Sequence, residues 1–127
     1  MLELQHITCG YQPEVPTVRD LSLHLQPGNI LCLLGPSGCG KTTTLRAIAG
    51  FEKISAGEIR IQGQVLASAS FHLPPEQRRV GMVFQEYALF PHMSVEDNVA
   101  FGLYHWQPSD RQSRVQVLLD LVGLQGL

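Results

Sequence analysis

The chain has 127 residues, 44% of them apolar, and a formal charge of −2 from nine Lys and Arg against eleven Asp and Glu. That length can bury a real core as one domain, and the near balance of charge removes any electrostatic case for nucleic acid as a partner. Three cysteines without paired spacing point to a reducing compartment rather than a disulfide framework.

The first residues, Met1-Leu2-Glu3-Leu4-Gln5-His6, lack a basic segment followed by an apolar one, so no signal peptide is expected. No apolar stretch approaches the ~18 residues that cross a bilayer. The expectation is a soluble, cytoplasmic protein whose membrane role, if any, runs through a partner.

Residues 2–7 alternate loosely and predict a strand. Residues 10–16 form a loop with two prolines and one aromatic, Tyr11. A purine stacks on an aromatic face with little hydrogen-bond readout, so Tyr11 is either a base platform or an ordinary loop tyrosine. Residues 18–25 alternate, with Leu21, Leu23 and Leu25 on one face and Ser22 and His24 on the other. Pro27-Gly28-Asn29 is a turn. Ile30-Leu31-Cys32-Leu33-Leu34 is apolar throughout, as a strand covered on both faces should be, and this puts Cys32 in the core.

Gly35-Pro36-Ser37-Gly38-Cys39-Gly40-Lys41-Thr42 follows directly and fits G-x-x-x-x-G-K-[ST] in the strand–loop–helix context that a phosphate-binding loop requires. Its glycines let backbone N–H groups turn inward, and those groups, with the N-terminus of the next helix, cradle anionic oxygens. Lys41 should reach the β- and γ-phosphates, and the Thr42 hydroxyl should ligate Mg²⁺. Residues 41–49 predict the helix, with Leu45, Ile48 and Ala49 at core spacing and Gly50 just past its end. Thr43, on the first turn, either donates to an α-phosphate or is a helix threonine without a ligand. Cys39 lies in the loop with no chemical role of its own.

Residues 58–66 read as one alternating strand, with Ile59, Ile61, Gly63 and Val65 sharing a face. Residues 68–79 form a polar loop, and residues 80–84 are a second candidate for a buried strand. Gln85 then lies at the tip of that strand. In open α/β sheets ligands bind at the carboxyl edge, so its amide oxygen either ligates Mg²⁺ or orients water, or else it is a solvated strand end. Residues 84–92 are unusually aromatic: Tyr87, Leu89 and Phe90 either mark a protein interface or fill a local core. Ser94 with Asp97 predicts a capped helix running to about residue 103. Residues 109–122 predict an amphipathic helix with Val115, Leu118, Leu119 and Val122 as its stripe. The five histidines have no metal-ligand spacing and are expected at the surface or in loops. The mixture of alternating and solidly apolar strands predicts an antiparallel β layer laid against a phosphate-binding α/β core.

Together these residues resemble the ATP-binding subunit of an ABC transporter. The segment from Leu34 to Thr43 looks like the family's Walker A motif, and Arg46-Ala47-Ile48-Ala49-Gly50-Phe51-Glu52 like the helix end that follows it. The segment from Val80 to His92 looks like its Q-loop region, and Asn98-Val99-Ala100-Phe101-Gly102-Leu103 continues the likeness. Leu73-Pro74-Pro75-Glu76-Gln77-Arg78-Arg79 with Gly50-Phe51-Glu52 is similar to bacterial ferric iron importers; spermidine, sulfate and maltose importers share much of it. Asn29 stands where the family usually has glutamate.

The resemblance implies an α/β fold: a RecA-like P-loop NTPase core, an antiparallel β subdomain and the start of a helical subdomain. Residues of about 1–92 would hold the β subdomain and P-loop core, and about 85–127 the Q-loop and helical part. Gly35, Pro36, Ser37, Gly38, Cys39, Gly40, Lys41, Thr42 and Thr43 would bind ATP, Tyr11 would stack on adenine, and Thr42 and Gln85 would hold Mg²⁺. Tyr87, Ala88, Leu89, Phe90, Pro91 and His92 would face the permease. The implied partners are a transmembrane permease, a second ATP-binding subunit and, indirectly, a solute-binding protein. The implied place is the inner face of the cytoplasmic membrane. The family's Leu-Ser-Gly-Gly-Gln signature, its catalytic glutamate and its switch histidine are not in the sequence. The expectation is an N-terminal fragment that does not hydrolyse ATP by itself. A P-loop small-molecule kinase, a non-catalytic interaction fragment, and an ABC ATPase of DNA repair or translation stand as other readings.

Overall fold

Strand β1 (Leu2–Cys9) is the spine of an antiparallel sheet in the computed structural model, which describes residues 1–10 and 15–125. On one side it pairs with β2 (Val18–Leu25), setting Leu2 opposite Leu25, Leu4 opposite Leu23 and Ile7 opposite Leu21. On the other side it pairs with β3 (Ile54–Ile61), setting Leu2 opposite Ile61, Leu4 opposite Ile59 and Cys9 opposite Ile54. β3 continues into β4 (Gln64–Ser68), giving the order β2-β1-β3-β4. The alternation read for β2 holds: Leu21, Leu23 and Leu25 are half-buried, while Ser22 and His24 are exposed.

Helix α1 (Lys41–Ala49) covers one face of this sheet. Ala47 joins Leu4, Ile7, Cys9, Val18, Ile54, Ile59 and Ala67 in the core, with Leu2, Leu21, Leu23 and Ile48 packed around it. The helix bounds match the sequence reading, and Gly50 ends it in the left-handed region as a C-cap. Leu45 does not serve as a core residue: it is exposed, and Thr43, Thr44, Ala47 and Ala49 form the buried side.

Two further expectations are corrected. Residues 58–66 are not one strand, because Gln62-Gly63, both at positive φ, form the two-residue turn of a β3–β4 hairpin. Residues 30–34 and 80–84 form no strand, and Ile30 is 96% exposed, Leu34 87% and Val83 93%. Cys32 is likewise exposed rather than core. A doubly covered parallel strand needs a neighbour on each side, and the described residues supply none for either run. Exposed apolar runs such as residues 30–34 template association. The chain is therefore expected to self-associate at micromolar concentration, and Ile30→Lys with Leu34→Lys to raise the monomer fraction in size-exclusion chromatography. A monodisperse wild-type monomer with a sharp melt contradicts this.

The chain divides into two compact units, Met1–Met82 and Val83–Leu127. In the second, α2 (Val95–Ala100) runs into a 3-10 turn (Phe101–Leu103), followed by α3 (Pro108–Leu121). Ser94 caps α2 as expected: its Oγ accepts from the Asp97 N–H at 3.0 Å and donates to Asp97 Oδ2 at 2.6 Å. Pro108 opens α3, where a missing N–H costs nothing. Ala100, Val115 and Leu119 make a small core with Val99, Leu103 and Leu124. Val122 lies outside that stripe, exposed, and Leu118 is half-buried.

Candidate nucleotide-binding site

The loop of residues 35–42 leads straight into α1, so the helix N-terminus is part of the site. The first N–H groups of a helix have no helical carbonyl behind them. Here no side chain caps them, and the first turn carries no acidic residue. The partial positive charge of the helix end is therefore left open to an anion. Gly40 precedes the helix at φ 95°, and a Cβ there would meet Val18 Cγ2 at 2.7 Å. Only glycine lets the chain turn this close to β2.

Lys41 folds back over its own loop. Its Nζ donates to the carbonyls of Gly35 at 2.8 Å and Pro36 at 2.7 Å, and lies 3.5 Å from Cys39 Sγ. These partners are exposed, and carbonyl oxygens are weaker partners for an ammonium than charged oxygens are. The ammonium is thus held at the mouth of the loop by bonds that an anionic ligand can replace. Thr42 is exposed and its hydroxyl is accessible, whereas Thr43 is buried. Thr44, also buried, closes the first turn by donating from Oγ1 to the Gly40 carbonyl at 2.9 Å.

Tyr11 falls outside the described residues. Gln85 belongs to the second unit, exposed in a turn rather than at the tip of a strand. Among residues 87–92 the two readings divide. Tyr87 and Leu89 are strongly exposed, as are Ala88, Pro91 and His92. Phe90 is half-buried and packs on Phe101 with ring centroids 4.4 Å apart. Tyr87 and Ala88 both take positive φ, at 60° and 51°, which strains non-glycine backbone. Asn98 pins this segment: its Oδ1 accepts from the Phe90 N–H at 2.8 Å, and its Nδ2 donates to the carbonyls of Phe90 and Ser94.

Sequence reasoning missed one buried network. Arg78, only 4% exposed, donates from Nη1 to the carbonyls of Ala47 at 2.7 Å and Ile48 at 3.0 Å, and from Nε to that of Leu73 at 2.6 Å. Its Nη2 lies 3.2 Å from His72 Nδ1, and His72 Nε2 lies 3.1 Å from the Gly50 carbonyl. A carbonyl cannot donate, so Nε2 carries the ring proton and Nδ1 accepts from Arg78. Burial first, then the Arg78 charge, holds His72 below its usual range; the Gly50 carbonyl opposes them and Lys53 adds to them. The sequence signals this only weakly, since arginine in a polar loop ordinarily reads as solvated.

Other titratable groups offer less. Burial, helped by the Glu52 carboxylate, pushes the Cys9 thiol up to about 11, which keeps it protonated and inert. Among the described residues, no group of three or more His, Cys, Asp or Glu is placed to hold a metal ion, and no helix is long and apolar enough to cross a membrane.

A family model described as ABC transporter matches residues 18–127. Among curated proteins, the spermidine/putrescine import ATP-binding protein PotA of Pseudomonas fluorescens (strain Pf0-1) is 47% identical over 132 residues, covering 99% of this chain and 35% of that protein. The Fe(3+) ions import ATP-binding protein FbpC 2 of Rhizobium meliloti (strain 1021) is 52% identical over 109 residues, covering 84% of this chain and 27% of that protein. The chain therefore spans about a third of the length of the curated relatives it matches. Among solved structures, the dimeric post-hydrolysis state of the ATP-binding cassette MJ0796, bound to ADP and Pi, superposes with a TM-score of 0.81 at 25% identity, over 99% of this chain and 59% of that one. The antiparallel sheet, the helix behind the glycine loop and the capped helices that follow are thus those of an ATP-binding cassette. With the family match extending from Val18 to the last residue, the chain belongs to the ABC transporter family.

Proposed function

We propose that this chain is the nucleotide-binding part of an ATP-binding subunit in an ABC importer. The carrying observation is the uncapped N-terminus of α1, with Lys41 held over the loop by replaceable carbonyls. In this reading the N–H groups of Gly38, Gly40, Lys41 and Thr42 and the ammonium of Lys41 bind the β- and γ-phosphates of ATP. Gly35, Pro36, Ser37 and Cys39 shape the cradle, and Thr43 contributes its backbone N–H. Tyr11 stacks on the adenine. The exposed hydroxyl of Thr42 fits a hard cation that prefers oxygen ligands and would hold Mg²⁺; the resemblance of residues 80–92 to the family's Q-loop region supports Gln85 as a second ligand. Mg²⁺, when bound, neutralises phosphate charge; this chain's own residues bind and orient the nucleotide.

Residues of about 1–92 act as the β subdomain and phosphate-loop core, and about 85–127 as the Q-loop and the start of the helical subdomain. The exposed Tyr87, Ala88, Leu89, Pro91 and His92, with Phe90 anchoring them, face a membrane permease on the cytoplasmic side of the membrane. A second ATP-binding subunit completes the pair, a reading that the dimeric form of the MJ0796 cassette supports. The relatives are named for spermidine/putrescine or Fe(3+) import; of these, ferric iron is the solute slightly preferred, on the likeness of residues 73–79 with Gly50-Phe51-Glu52 to ferric iron importers.

Ligand ranking tests this reading. A fluorescent ATP analogue bound to the soluble chain is expected to be displaced by ATP and ADP but not by AMP, because the cradle contacts the phosphates beyond the first. Equal displacement by AMP contradicts it.

A further inference from the structure

We propose that Arg78, braced by His72, is a positioning residue for the phosphate loop; the proposal rests on the nucleotide reading above. Helix α1 carries the loop at its start and the Arg78 clamp at its end. The two are about 13 Å apart at ~1.5 Å per residue. A helix this short moves as one body, so what fixes its last carbonyls also fixes its first N–H groups.

The clamp takes the carbonyls of Ala47 and Ile48 through one guanidinium nitrogen and that of Gly50 through His72. The Nε bond to Leu73 ties the same side chain to the loop of residues 68–79. A planar guanidinium bound in several directions fixes both the axial position and the rotation of the helix end, which a single-point contact cannot do. Its positive charge also lies at the negative end of the helix dipole. Beside Ile48, which packs on the core, the buried side of α1 is made of small residues, Thr43, Thr44, Ala47 and Ala49. Such packing is smooth and weakly directional, so the polar clamp adds the bonds that fix the position of the helix end.

The brace works only with neutral His72. A proton on Nδ1 would face the Arg78 N–H instead of accepting from it, and the charges that act on this ring, Arg78 and Lys53, are both cationic. The folded state therefore favours the neutral ring. Its contribution is complete above the ordinary value of 6.5 and declines as the pH falls below it.

Hydrogen–deuterium exchange and Mg–ATP equilibrium dialysis on the 127-residue chain and its R78Q, R78K and H72Q variants test the proposal. At about pH 7.5, R78Q is expected to speed exchange at residues 40–44 as well as 47–50 and to weaken ATP binding about five- to tenfold, with R78K recovering part of both. H72Q is expected to remove a loss of affinity that the wild type shows at about pH 5.5. Faster exchange confined to residues 47–50, with residues 40–44 unchanged, overturns the proposal, since Arg78 would then be a local helix cap. If R78Q fails to fold, the same comparison is made with R78K. A wild-type chain that takes up no ATP sinks the nucleotide reading instead, and the exchange comparison still decides the role of Arg78.

Discussion

Lys41→Ala is expected to weaken Mg–ATP binding at least about a hundredfold, or ~2.7 kcal/mol. The size follows from the partners. Each hydrogen bond to a charged group is worth about 1.5–3 kcal/mol, and an ammonium reaching two phosphate groups makes more than one. The loop N–H groups remain in the variant, so residual millimolar binding should survive. Stability should change far less. The bonds that Lys41 makes to the carbonyls of Gly35 and Pro36 are exposed and replaceable by water. Dialysis for affinity and a melting curve for stability separate the two effects. Unchanged affinity in a folded variant would mean that the ammonium has no part in the site.

Gly57→Ala is expected to cost about 2–4 kcal/mol and to lower the unfolding midpoint of the first unit accordingly. Gly57 lies in β3 at φ 80°, and a Cβ there would press into the carbonyl oxygens of Gln5 and His6 in the neighbouring strand. Those atoms are backbone, so no side-chain rotation relieves the contact. The position is one of three irregular ones set across adjacent strands: His6 in β1 and Asp20 in β2 also take positive φ, and the register slips on both sides of His6. The His6 Nδ1–Asp20 Oδ1 contact at 2.7 Å, with His6 N–H donating to Ser22 Oγ and Asp20 N–H to Thr8 Oγ1, gives this ridge polar partners of its own. A denaturant titration that leaves Gly57→Ala within about 0.5 kcal/mol of the wild type contradicts the account.

Local signals made most elements legible. The bounds of α1, its Gly50 cap, the Ser94 cap of α2, the alternation of β2 and the start of α3 near Pro108 all depend on residues within one turn or one strand of each other. The β3–β4 hairpin escaped because the apolar alternation in the sequence runs on through the turn: Ile59, Ile61 and Val65 all stand at odd positions, although Val65 pairs with Arg60 and so shares its face rather than that of Ile61. Residues 30–34 and 80–84 were read correctly as apolar, but burial of such runs depends on strands distant in sequence, and periodicity does not report whether those strands are present. The same non-locality hid the Arg78 clamp, whose acceptors Ala47 and Ile48 lie about thirty residues upstream. Within the candidate site, what was legible is that the glycine-rich run of residues 35–40 leads into the start of α1 at Lys41, since both depend on neighbouring residues.

The most direct measurement is equilibrium dialysis of labelled Mg–ATP against the folded, soluble fraction of the wild-type chain. The account predicts saturable uptake approaching one nucleotide per chain, lost when Lys41 is replaced. No uptake above that of an unfolded control, in material shown by circular dichroism to be folded, would contradict it.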